Sequence, residues 1–223
     1  MKAYLFGFLL LAQDAYAAPA GPLFFRDLTL KFALSLPAEW VPEDQLPQEM
    51  KDRAEKTATK LSTVQAAQLK PLGVFLKPPF RPHSQLTSLR IDLIDDPSVG
   101  QLDPITLAQA AILSIKKGDP ASEVLDAPRM VLINGEPWVT FSAEHASHYV
   151  KTLDTSGVSR ARLWFFSLSG GRWLKVNLVA PKEDWAGLEK DSEFIEKSMR
   201  LNAPDPNAKT SREEILDGLG AFR

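Results

Sequence analysis

The sequence predicts an α+β protein, an α/β/α sandwich around a central, mostly antiparallel sheet. Three observations point there. Apolar and polar residues alternate over Leu28 to Leu36 and over Ser88 to Asp95, the period of a half-buried strand. Two glycine turns, Asn134-Gly135 and Gly170-Gly171, each separate two runs of strand-forming residues. The second of these hairpins carries large apolar residues on both faces, so both faces need cover.

In chain order, the first segment reads as an address. Lys2 precedes the apolar run Ala3 to Ala12, and Ala15-Tyr16-Ala17 has the A-x-A form that signal peptidase recognises. Residues 1–17 are expected to be a signal peptide cut between Ala17 and Ala18, leaving an exported protein, periplasmic or secreted, of bacterial type. The run is too short to span a bilayer, and no later segment is apolar and long enough, so no membrane anchor is expected. Residues 18–27 read as a leader and residues 28–201 as one domain.

Within that domain, Leu28, Leu30, Phe32, Leu34 and Leu36 share a strand face that Pro37 ends. Residues 46–69 carry dense charge, a thin apolar stripe and a single proline in the first turn, and read as a surface helix. Pro71, Pro78, Pro79 and Pro82 punctuate an expected loop around Gly73 to Leu76. Asp103-Pro104 opens the clearest helix: Asp103 can accept from the first free amides, and Pro104 suits the first helical position. Lys116 and Lys117 lie at its negative end, and Gly118 closes it. The two hairpins follow, over Met130 to Ala143 and Arg160 to Ala180, with a polar, irregular stretch between them. Residues 183–199 read as a terminal helix, and 202–223 as a linker with a short helix capped by Ser211 and Glu214.

A two-residue Gly-Gly loop would pair Ser169 with Arg172. Leu163, Phe165, Leu174, Val176 and Leu178 would then share one face of the second hairpin. Arg162, Trp164, Phe166, Leu168, Trp173, Lys175, Asn177 and Val179 would share the other. Such a hairpin belongs at the centre of a sandwich.

The order of elements, with the phrases Phe32 to Trp40 (FALSLPAEW), Ile133 to Trp138 (INGEPW) and Asp184 to Leu201 (DWAGLEKDSEFIEKSMRL), resembles the PsbP-like fold family. Photosystem II extrinsic subunits, a Ran-binding import factor and small exported bacterial proteins share that fold. The resemblance covers about residues 28–201. It implies binding or assembly rather than catalysis, and it carries over no functional residue.

Composition excludes several chemistries. The absence of cysteine removes disulfides, zinc–thiolate sites and lipoprotein-type anchors. A balance of 26 Lys+Arg against 28 Asp+Glu does not suit nucleic-acid binding. No nucleophile elbow or phosphate-cradling glycine loop is present, and no cofactor is expected. Two constellations are candidates. Glu144, His145 and His148 could hold a metal if the segment were helical, which gives the alternative of an exported metal-dependent enzyme or metal binder. Trp164, Phe166 and Trp173 beside Lys175 and Arg162 would form a patch for a protein partner or small ligand, unless a helix covers it. The favoured expectation is a non-enzymatic exported binding or accessory protein.

Overall fold

The structure is a computed structural model that describes residues 21–46, 48, 69–80, 86–146 and 157–202. The expected signal peptide with Ala17 and Ala18, the body of the helix expected over 46–69, His148 and the expected tail helix lie outside the described residues.

Strands β1 (Leu23–Asp27) and β2 (Phe32–Leu36) pair antiparallel as a separate two-stranded sheet. Leu23 to Asp27, read as leader, is thus part of the fold, and the strand expected from Leu28 starts only at Phe32. The cause is local. The Asp27 carboxylate accepts the Leu30 amide at 2.8 Å, and Lys31 takes a positive φ of 52°, so the chain reverses before it can extend.

Next come β3 (Val41–Pro42), a 3-10 turn (Glu43–Gln45), β4 (Leu69–Lys77) and β5 (Thr87–Ile94). The loop expected around Gly73 is therefore a strand. Pro71 is tolerated because the ladder to β5 breaks at a bulge between Pro71 and Gly73. Helix α1 (Pro104–Gly118) starts as its sequence dictates, with Asp103 accepting from the amides of Ile105 and Thr106 at 3.0 Å each. Strands β6 (Glu123–Ile133), β7 (Glu136–Ala146), β8 (Val158–Leu168) and β9 (Arg172–Pro181) follow, then a 3-10 turn (Lys182–Asp184) and helix α2 (Trp185–Ser198). The central sheet has the order β3-β4-β5-β9-β8-β7-β6, and every neighbouring pair is antiparallel.

Each face of that sheet has its own apolar layer, as a sandwich requires. On one face Leu107 and Ala108 of α1 pack with Val139, Phe141, Leu163, Phe165 and Trp173. On the other, β2 and α2 bring Phe32, Leu34, Trp185 and Ile195 against Trp138, Trp164, Val176 and Leu178. All five tryptophans are buried. Main-chain bonds between Ala33 and Arg200, at 2.8 and 2.9 Å, tie β2 to the end of α2.

The second hairpin departs from expectation by one residue. Leu168, not Ser169, pairs with Arg172, so the loop has three residues. Gly170 and Gly171 both take positive φ, 76° and 70°, and Gly171 lies against Gly100 so closely that a Cβ at position 100 would run into the Gly171 carbonyl. A slip of one residue inverts every side chain of one strand relative to the other. Arg162, Trp164, Phe166 and Leu168 accordingly share a face with Leu174, Val176 and Leu178, while Leu163 and Phe165 share theirs with Trp173, Lys175 and Val179.

Candidate functional site

The register divides the expected aromatic patch between the two faces of the sheet. Trp164 is fully buried beneath α2, and its indole N–H donates to Glu196 Oε2 at 3.0 Å. Phe166, half-buried on the same face, packs on Trp138 with ring centroids 5.1 Å apart. Arg162 donates to Ser192 at 2.9 Å and to Ser142 at 3.4 Å, and its guanidinium lies 6.0 Å from the Trp185 ring. Trp173 is buried on the α1 face, where its N–H donates to the Val99 carbonyl at 3.1 Å. The terminal helix is therefore the cover for the Trp164 side, and no single aromatic surface joins the five residues.

Glu144 and His145 are consecutive in β7 and so point to opposite faces of the sheet, while His148 is outside the described residues. Glu144 is buried and saturated. Arg160 donates to its Oε1 from Nε at 3.0 Å and from a terminal nitrogen at 2.6 Å, and Lys182 donates to Oε2 at 2.6 Å. The Lys182 hydrogen bond, with Arg160 adding to it, outweighs desolvation and holds the carboxyl below the usual range. This carboxylate ties β7, β8 and the end of β9 together. Among the described residues no group of three His, Asp or Glu side chains is placed to hold a metal.

Two polar features were not legible as sites in the sequence. The first is a cleft of about 120 Å³ between the outer sheet strands and α2, lined by Asp126, Arg129, Thr140, Ser142, Glu193 and Glu196 among others. The second is a polar seam on the α1 face, formed where β5 and β9 pair. Arg90 lies opposite Asn177 and Asp92 opposite Lys175. Register places this quartet between Val74 on one side and Leu163 and Phe165 on the other, a break between two apolar clusters. Asp92 is fully buried. Its Oδ1 accepts from Arg90 Nε at 2.6 Å, while Oδ2 lies 3.8 Å from Lys175 Nζ, too far for a hydrogen bond. Burial, reinforced by the Arg90 charge, pulls the Lys175 pKa down against the opposing pull of Asp92. Arg90 and Asp92 read locally as the wet face of a half-buried strand, so no sequence signal marked them. Lys175 was singled out, but for the wrong face.

No family model matches this chain, and no curated protein does. Similar solved structures include that of cyanobacterial PsbP (CyanoP) from Synechocystis sp. PCC 6803, at 12% identity and a TM-score of 0.49, covering 86% of this chain and 98% of that one. LpqN, involved in cell envelope biogenesis of Mycobacterium tuberculosis, is similar at 14% identity and a TM-score of 0.49, covering 83% and 87%. The Ran-binding protein Mog1p of Saccharomyces cerevisiae is similar at 10% identity and a TM-score of 0.44, covering 82% and 96%. These resemble the chain in fold outline and in nothing finer. Two of them, a PsbP and a Ran-binding protein, bear names of the kind that the resemblance of the quoted phrases implies.

Proposed function

We propose that this chain is an exported, non-catalytic binding or accessory protein whose ligand is another protein. The supporting observation is the cleft between the outer strands and α2. Its volume of about 120 Å³ falls below the roughly 300–1,000 Å³ that encloses a small molecule. Asp126, Arg129 and Glu193 stand exposed around it, charges of both signs such as steer a protein partner into register. The non-catalytic reading is supported by Glu144, whose oxygens are already taken by Arg160 and Lys182. Export is supported by the A-x-A motif at Ala15 to Ala17.

A photo-crosslinking residue at Glu193, with a second at Lys116 on the far helix as control, tests the partner in intact cells. A discrete adduct at position 193 and none at 116 is the expected result. Equal labelling at both, or none at either, removes the protein ligand. The exported protein should begin at Ala18 by N-terminal sequencing, and retention of residues 1–17 would remove export.

A further inference from the structure

Strand β6 ends the central sheet, and among the described residues it pairs only with β7. Natural sheets blunt such edges with prolines, bulges or charges. Here the protection is confined to one half. Bulges fall between Val124 and Asp126 and between Asp126 and Arg129, and Pro128 lacks an N–H, but Arg129 to Ile133 pairs regularly with Thr140 to Glu136. Met130 and Leu132 in that half are 49% and 78% exposed.

The turn settles which main-chain groups are open. Asn134 and Gly135 have φ of 51° and 86°, a two-residue turn of the type-I′ kind, so the flanking pair Ile133–Glu136 exchanges hydrogen bonds. Alternation then turns the amides and carbonyls of Arg129, Val131 and Ile133 toward β7, and those of Met130 and Leu132 toward the open edge. Pro137, which has no N–H, lies opposite Leu132, where the alternation requires none. Met130-Val-Leu-Ile133 is an uncharged run of strong strand formers, and an edge of that kind is adhesive.

We propose that two copies of this chain associate through β6, antiparallel, about a two-fold axis at Val131. Met130 of each copy then lies opposite Leu132 of the other, and their outward amides and carbonyls bond reciprocally. Val131 meets itself in a non-hydrogen-bonded pair. Arg129 lies opposite Ile133 of the second copy, and one strand further on, on the same face, is that copy's Glu136. Two strand spacings, about 10 Å between Cα atoms, are within joint reach of extended arginine and glutamate side chains. Neither Arg129 nor Glu136 has an ion pair with another described residue of its own chain. This charge complementarity, made twice by the symmetry, favours a second copy over an unrelated strand.

The chain's lack of cysteine makes the test clean. Only a residue on a two-fold axis meets its own copy, so oxidised Val131→Cys should yield a disulfide-linked dimer, while Leu113→Cys and Phe194→Cys, at more exposed positions away from β6, stay monomeric. Sedimentation of the native chain up to about 1 mM, the range suited to a small edge contact, should show reversible dimers. Leu132→Lys, at an exposed position, should abolish them with unchanged circular dichroism. Arg129→Glu or Glu136→Arg alone should weaken dimerisation about tenfold, and the double variant should restore it. Three outcomes would each overturn the proposal: a native chain monomeric throughout, dimers that survive Leu132→Lys, or Val131→Cys crosslinking no better than the controls.

Discussion

The two glycine-turned hairpins of the sheet behave differently. In β6–β7, Asn134 and Gly135 form the expected two-residue turn, and Ile133 pairs with Glu136. In β8–β9, Gly170 and Gly171 also take positive φ, yet Ser169 joins the loop and the pairing starts one residue earlier. Asn-Gly specifies both central positions of one turn type, and Asn134 is further held by bonds from its Nδ2 to the carbonyls of Lys197 and Met199 at 3.0 and 2.7 Å. Gly-Gly specifies none, because glycine accepts nearly any φ. Packing decided instead, through the close approach of Gly100 to Gly171 and the bond from Trp173 to Val99. A permissive turn therefore leaves register to its surroundings.

The largest test of this difference is at the tryptophans. Trp164→Ala and Trp173→Ala should each cost about 3–5 kcal/mol, since both side chains are fully buried. They lie in separate apolar layers, so the double variant should lose the sum within about 0.5 kcal/mol in urea unfolding. Strong coupling would mean that the two share a face, as the two-residue loop requires.

Gly100→Ala should be the next most costly, about 1–3 kcal/mol, because the new methyl group meets the Gly171 carbonyl. Gly135→Ala meets open space and pays only for its positive φ, about 1 kcal/mol. If thermal unfolding ranked the two the other way, the Gly100–Gly171 contact would be too weak to set the second register.

Glu144 links the hairpins, accepting from Arg160 in β8 and from Lys182 after β9. Glu144→Gln should cost about 1–2 kcal/mol near neutral pH, a figure kept low by the exposure of Lys182. Because its folded-state pKa lies below the ordinary 4.5, its contribution is fully present above that value and fades as acid carries the pH down through the folded-state pKa. The gap between wild type and variant in a pH series of denaturation midpoints should narrow progressively as the pH falls below 4.5 and close once it has passed through the folded-state pKa. A gap that persisted there would show that packing, not charge, is the carboxylate's role.

The smallest effect should be at Asn134. Its replacement by Gly keeps the turn and loses the two carbonyl contacts, for about 1 kcal/mol at most. A much larger loss would mean that the contact with α2, rather than the turn, positions the first hairpin.

Local signals were legible wherever a residue acts on its near neighbours. Asp103 and Pro104 start α1 as read, because a cap satisfies amides two and three residues away. The alternation of β5 was legible for the same reason, and the apolar character of both hairpin faces correctly called for a sandwich. Signals that depend on a distant partner were not. Leu23 to Asp27 is a strand only because β2 returns beside it, and Leu69 to Lys77 is one despite Pro71 because β5 accommodates a bulge. The polar seam needed the same information: Arg90 and Asp92 become a buried cluster only when Lys175 and Asn177 are set across from them.

By itself the sequence determined the class of fold, the start of α1, the first hairpin and the positions that had to be apolar. These follow from capping, turn chemistry and periodicity, which act within a few residues. The tertiary structure alone decided which face of β9 meets which face of β8. It thereby buried the tryptophans on opposite sides of the sheet and placed Lys175 away from Arg162. In a strand that is apolar on both faces the pattern reads equally well in either register, so the choice falls to the loop length and the contacts that hold it.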